Sequence, residues 1–287
     1  MTDIYTMITD RIIAELESGT IPWHKPWLGG TPAISHVTGK PYSLLNQMLL
    51  NGKGGEYLTF NQVKKAGGYV RKGEKAAIIV FWKWLQITDQ DTGEEKEIPY
   101  LRYYNVFHID QCDGIAPRYS EHRDSPSSSA AANDAAEAVI HGYIARSGVR
   151  LINRESSDAF YQPLSDTVVL PLLSQFTDTA EYYSTAFHEL AHSTGHPKRL
   201  ARLTEHISFG SDRYSQEELC AELSASYILN SLNLETSASF RNNAAYIANW
   251  LKVLKDDKKM IVSAAGKAEK AALMILGKEW INDDAEC

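Results

Sequence analysis

The chain has 287 residues, of which 44% are hydrophobic and 23% charged, and a net charge of −7 at pH 7. That composition belongs to a globular protein with a sizeable core; it excludes a uniformly basic nucleic-acid coat and is not acidic enough for a DNA mimic. Cys112, Cys220 and Cys287 are widely separated and odd in number, so a disulfide framework is not expected and a reducing, cytoplasmic setting fits.

Taken in chain order, residues 3–18 predict a helix. Ile4, Ile8, Ile12, Ile13 and Leu16 share one face, and Gly19 sits where a C-terminal cap belongs. This stretch carries acids and lacks the basic and apolar regions of a signal peptide. No apolar run approaches the length that crosses a bilayer. A loop rich in Pro, Gly and Trp follows, then a helix within 41–50. Thr59 caps a further helix that ends at Gly67 and Gly68. Residues 76–87 read as a strand, 89–97 as a hairpin tip and 98–109 as the partner strand. Residues 1–112 thus predict a mixed α/β domain.

Residues 113–134 are rich in Ser, Ala, Pro and Asp. They read as a flexible linker, with a long surface loop as the alternative. The charge divides across this segment, because residues 1–112 are balanced and residues 113–287 carry the whole net charge of −7. The second domain, 135–287, opens with a helix over 135–147. Strands follow within 150–156 and 158–171. Asp178-x-x-Glu181 opens a helix through residue 194. Further helices are expected over 215–231, 245–257 and 263–281. The fold class is α+β.

One motif in this half carries chemistry. His188-Glu189-Leu190-Ala191-His192 is H-E-x-x-H. On a helix the two histidines stack at i and i+4, where they can hold one Zn²⁺, and Glu189 can act as general base without being a ligand. Tyr182, Tyr183, Ala186, Phe187, Leu190 and Ala191 make the helix look buried, and a buried His-Glu-His group needs partners. A third ligand is required. Glu218 is favoured, on the helix that follows, with Glu222 one turn later as the acceptor that orients a ligand histidine. Ser215-x-x-Glu218 is also a capping box, so a purely structural Glu218 remains the alternative. His196, flanked by Gly195 and Pro197, reads as a loop anchor, and Cys220 as core. The strand region Phe160–Leu170 is either a sheet edge that accepts an extended peptide or a simple buried hairpin.

Between Phe60 and Gln86 lie Lys64, Lys65, Arg71, Lys72, Lys75 and Lys83, interleaved with Tyr69, Phe81, Trp82 and Trp84. Cations beside exposed rings suit single-stranded DNA, with phosphates on Lys and Arg and bases on aromatic faces. The competing readings are a solvated basic rim and, for Trp82 and Trp84, packing in a strand that is apolar on both faces.

These features together resemble the plasmid ArdC-type antirestriction family. The resemblance rests on Pro22-Trp23, Pro26-Trp27, Gly39-Lys40-Pro41-Tyr42 with Asn46, Thr59-Phe60-Asn61-Gln62 and the run from Gly67 to Lys75. In the second half it rests on Tyr161-Gln162-Pro163 with Asp166, the run from Phe187 to His196, Arg199-Leu200, and Glu217-Glu218-Leu219 with Ala221-Glu222. It implies an N-terminal single-stranded-DNA-binding domain, of the kind shared with TraC-type primases, and a C-terminal zincin-like metallopeptidase domain. The expected function is non-specific binding of single-stranded DNA and protection of incoming plasmid DNA from host restriction endonucleases. His188, His192 and Glu218 would hold Zn²⁺ or another divalent metal, with Glu189 as the base. Lys64, Lys65, Tyr69, Arg71, Lys72 and Lys75 are the expected DNA contacts. The alternative is a zinc-dependent protease that its N-terminal domain recruits to DNA or to a protein target, a host restriction protein being one such peptide substrate. No membrane partner is expected.

Overall fold

The computed structural model describes residues 3–24, 32–88, 95–119, 129–176, 178–203, 212–234 and 244–279. Helix α1 (Ile4–Glu17) buries Ile8, Ile12, Ile13 and Leu16 along one stripe, as their spacing requires. It stops at Gly19, whose φ of +82° turns the chain while its N–H donates to the Leu16 carbonyl.

A mixed sheet follows. Its strands are β1 (Ala33–Ser35), β2 (Gly55–Thr59), β4 (Ala77–Thr88) and β5 (Glu95–His108), in the spatial order β1-β2-β5-β4. β1 and β2 are parallel; the other pairs are antiparallel, and Ile79 faces Tyr104 in the long β4–β5 ladder. Helix α2 (Leu44–Leu49) closes both edges of this sheet with side-chain amides. Asn46 exchanges two hydrogen bonds with the Val80 backbone, at 2.8 and 2.7 Å. Gln47 does the same with Ala33, at 2.9 and 2.8 Å. Each amide satisfies the outward-facing backbone groups of one residue on an edge strand.

Helix α3 (Phe60–Lys65) is held by a full capping box between Thr59 and Gln62, more than the single threonine cap expected. Gly67 ends it at φ +85°, and Gly68 lies so close to the Asp113 carbonyl that a Cβ would stand 2.6 Å from it. This close approach lets β3 (Tyr69–Val70) pair with β6 (Cys112–Asp113).

The region read as a linker is anchored at both described ends. Beyond β6, the Arg118 and Tyr119 N–H groups donate to Glu56 Oε1 at 2.8 and 2.7 Å, and the other oxygen of Glu56 meets His36 Nδ1 at 2.5 Å. Helix α4 (Ser129–Ser147) starts six residues before the expected 135. The expected hairpin tip, in large part, the Lys25–Trp27 segment, residues 120–128 and the side chains of Lys83, Trp82 and Trp84 lie outside the described residues.

In the second half, β7 (Arg150–Asn153), β9 (Thr167–Leu170) and β8 (Phe160–Gln162) form a sheet in the order β7-β9-β8, with β8 antiparallel at the edge. Helices α5 (Thr179–Thr194), α6 (Asp212–Ser231), α7 (Ala244–Asp256) and α8 (Met260–Leu276) complete it. The fold is α+β, as expected.

The two halves share a core. One hydrophobic cluster joins Ile12, Leu16, Trp23 and Leu44 to Leu219, Cys220, Leu223, Trp250 and Ile261. Trp23 is buried edge-on against Trp250 at 6.4 Å. Lys255 with Glu17 and Lys258 with Asp10, each at 2.7 Å, rim this contact.

Candidate functional site

Helix α5 presents the H-E-x-x-H run because its two sides differ. Asp178 caps the start by accepting from the Ala180 N–H at 2.9 Å. Ala186, Phe187, Leu190 and Ala191 are fully buried against the sheet and α6, which leaves His188 and His192 only partly covered on the remaining face. Their Nε2 atoms point at each other across 3.1 Å.

Helix α6 brings the carboxylates. Glu218 Oε2 lies 3.5 Å from His188 Nε2, and its Oε1 lies 3.6 Å from His192 Nε2. The three side chains offer donor atoms that all fall within 4.8 Å of one another and could hold a metal ion. Two imidazole nitrogens and a carboxylate are a donor set that a divalent cation such as Zn²⁺ would take. Two imidazole nitrogens this close repel unless a proton or a cation lies between them, so the donor set fits a metal. α6 begins at Asp212, so Ser215 is inside the helix and does not cap it; the capping-box reading of Glu218 is thereby corrected.

Glu222, one turn beyond Glu218, stands 3.6 Å from His188 Nδ1, and that nitrogen is buried with no closer hydrogen-bond partner. Burial alone would lower the His188 pKa, but Glu218, Glu222 and Glu189 outweigh it and hold the imidazole above its ordinary value. Glu189 itself is buried. His196 accepts from the Lys198 N–H through Nδ1 at 3.1 Å, outside the cluster, as a loop anchor does. Cys220 faces the shared core, and burial pushes its thiol up to about 12, far from a metal-binding thiolate.

Sequence reasoning missed Glu217. Its Oε1 lies 3.4 Å from His192 Nδ1, and Arg202 holds the same carboxylate at 2.8 Å. Burial would raise Glu217, but its bonds to His192 and Arg202 prevail and keep it below the usual carboxylate range. The doubled Glu217-Glu218 was the available signal: on a helix lying across α5, neighbouring acids can address the two nitrogens of one imidazole.

The edge strand β8 is braced to the end of α5. Asp166, at φ +48°, pairs with Arg199 and accepts from Tyr161 Oη at 2.8 Å; Arg199 also donates to the Ser193 carbonyl at 2.7 Å. Leu164, in the turn beyond β8, is 95% exposed.

In the first half, Lys64, Lys65, Lys72 and Lys75 are exposed and Tyr69 is 62% exposed. Arg71 is less available: it bonds Glu74 at 3.2 Å, Asp113 at 3.3 Å and the Asp110 carbonyl, and so ties β3 to β6. Two exposed rings were not singled out by the sequence as stacking residues, Phe60 at the start of α3 and Tyr103 on β5. Lys64 Nζ lies 5.0 Å above the Phe60 ring, which in turn packs on Phe107 at 6.4 Å.

Comparison with known proteins agrees with this architecture. Residues 2–107 match the family model of the N-terminal domain of anti-restriction factor ArdC. Residues 137–267 match a zincin-like metallopeptidase model. The crystal structure of the metal-free antirestriction ArdC protein from plasmid R388 superposes with a TM-score of 0.75 at 36% identity, over 97% of this chain and all of that one. This chain belongs to the ArdC antirestriction family. The Mn(II)-bound structure of that ArdC protein matches at a TM-score of 0.74 and 35% identity, over 96% of this chain and 98% of that one. A divalent metal is therefore at home in the ArdC fold. The chain is also 34% identical to DNA primase TraC of Escherichia coli across 96% of its own length, yet it spans only 27% of that primase. No helix among the described residues is long and apolar enough to cross a membrane.

Proposed function

We infer that this protein binds single-stranded DNA without sequence preference, protects incoming plasmid DNA from restriction endonucleases, and carries a zinc-dependent peptidase centre. The observation that carries the metal reading is the convergence of His188, His192 and Glu218 on one point. These three residues are assigned as ligands, with Glu222 orienting His188 through Nδ1. A divalent cation bound there supplies Lewis acidity at neutral pH. Glu189 then takes a proton from the attacking water and returns it to the departing amine, a role suited to a buried carboxylate one residue from a ligand. The edge strand β8, braced by Arg199 and Asp166, offers backbone groups to an extended peptide.

The DNA reading rests on the basic surface around α3 and the loop that follows. Lys64, Lys65, Lys72 and Lys75 meet phosphates, Tyr69 offers a ring for a base, and Arg71 frames the patch. Phe60 and Tyr103, each about half exposed, are further rings on which a base could stack. In this reading Trp23 belongs to the core.

The test separates the two activities. Binding to a single-stranded oligonucleotide is measured across a salt series, expecting a steep loss of affinity with salt and weaker duplex binding. Equal, salt-insensitive binding to both would remove the DNA function. Glu189→Gln is then assayed for metal content, peptide cleavage and protection of DNA. Retained metal with lost cleavage supports the catalytic assignment. Protection equal to the unaltered protein means that coating, and not proteolysis, defeats restriction. Loss of protection favours a protease that its first domain delivers to DNA or to a restriction protein.

A further inference from the structure

Two arginines leave the end of α5 in different directions. Arg199 turns to the edge strand, as described above. Arg202 turns to α6, with Nε 3.0 Å from Glu217 Oε2 and Nη2 2.8 Å from Oε1, a two-pronged grip between side chains less than a tenth exposed. The rest of the guanidinium is spent on α5: Nη1 donates to Thr194 Oγ1 and Nη2 to the Ala191 carbonyl, both at 2.9 Å. Arg202 therefore locks the last turn of the histidine helix to the carboxylate that precedes Glu218.

The oxygen that Arg202 Nη2 holds also faces a metal-site imidazole: Glu217 Oε1 lies 3.4 Å from His192 Nδ1 while His192 Nε2 points into the centre. A buried Arg–Glu pair contributes little net stability, because desolvating both charges offsets most of their attraction. Well-packed apolar residues would hold the two helices together as well. An ion pair aimed at one nitrogen of an imidazole does something they could not: it sets which nitrogen carries the hydrogen and which way the ring faces.

We propose that Arg202 and Glu217 are a positioning dyad that holds His192 with Nδ1 protonated and the Nε2 lone pair turned to the metal, so that cation affinity depends on two residues that never touch the cation. The proposal deepens, and rests on, the reading of His188, His192 and Glu218 as a metal site. Glu217 fixes the ring directly. Arg202 acts through Glu217, by keeping that carboxylate in register with α5.

The test is calorimetric titration of Zn²⁺ and Mn²⁺ into the metal-free full chain, comparing the unaltered protein with the double variant Arg202→Met/Glu217→Gln. The double change avoids stranding one buried charge. Circular dichroism and thermal unfolding of the metal-free forms establish that both are folded. The expected result is a loss of affinity of about 10–100-fold. An unchanged affinity in a folded variant overturns the proposal. Should the variant not fold, ¹⁵N imidazole spectra of the metal-free unaltered chain decide, with His192 assigned by comparison with His192→Gln. A protonated Nδ1 on His192 supports the dyad; a bare Nδ1 with a protonated Nε2 overturns it. If the unaltered protein takes up neither cation, the metal reading itself fails, and the same spectra still judge the dyad on its own.

Discussion

Glu218 and Leu219 are neighbours on α6 that serve opposite halves of the molecule. Glu218 reaches His188 and His192, whereas Leu219 is fully buried in the cluster that contains Ile12, Leu16 and Leu44 from the first half. Successive helical residues point about 100° apart, so one helix lines the candidate metal centre and closes the shared core at once.

Leu219→Ala should therefore cost about 2–5 kcal/mol of stability and weaken metal uptake together, although the side chain faces away from the centre. Thermal unfolding with and without added Zn²⁺ measures both. A drop in stability with unaltered metal affinity would show that the core and the centre are independent.

Glu218→Ala should remove bound metal while leaving the chain folded, because its side chain is 28% exposed and other residues carry the packing of α6. Elemental analysis of the purified variant beside the unaltered protein is the check. Metal retained at full occupancy would transfer the third-ligand role to another carboxylate.

Phe60→Ala and Tyr103→Ala should each weaken single-stranded DNA binding by about 1–3 kcal/mol with little change in its salt dependence, as expected for lost stacking. Lys64→Glu and Lys72→Glu should instead reduce the slope of log affinity against log salt, since each removes a phosphate contact. Fluorescence anisotropy over a salt series distinguishes the two patterns. Identical behaviour of both sets would dissolve the division between rings and cations.

Asp166 gives a pH signature. Burial would raise its pKa, but hydrogen bonds from Arg199 and Tyr161 prevail and hold it below the ordinary aspartate value. A carboxylate lowered in the folded state contributes stability that is present above its unfolded pKa, about 3.9, and is lost as pH falls toward the folded value. Denaturant unfolding between pH 5 and pH 2, values on the order of those that bracket this range, should show a smaller acid loss for Asp166→Asn than for the unaltered chain. Asparagine tolerates the positive φ at this position, so backbone strain does not obscure the comparison.

Several elements were legible from residue order alone because their causes are local. The apolar spacing of Ile8, Ile12 and Leu16, the Thr59 cap, the Asp178 cap and the i, i+4 pair of His188 and His192 all act within a turn or two of helix. The convergence of Glu218 on those histidines was expected, with a capping role as its rival, and the position of Ser215 inside α6 decided against the cap. Other features depend on which surfaces meet. Glu217 has only its place beside Glu218 to mark it in the sequence; the packing of α6 across α5, with Arg202 folded back from the loop after α5, gives it His192 as a partner. Trp23 sits in a Pro/Gly/Trp loop with no periodic pattern to mark it as core, and the packing of α7 supplies Trp250 against it. Arg71 looked like one of several equivalent cations, yet the β3–β6 pairing brings Asp113 beneath it and commits its charge. Sequence alone thus determined the long helices, the β4–β5 pair and the strands of the second half, and it marked H-E-x-x-H as a candidate metal motif, because hydrophobic period and capping are short-range; it gave no sign of β1, β2, β3 or β6. The tertiary structure decided which charges are spent, which rings face solvent and which acid orients which histidine, because those depend on contacts between residues far apart in the chain.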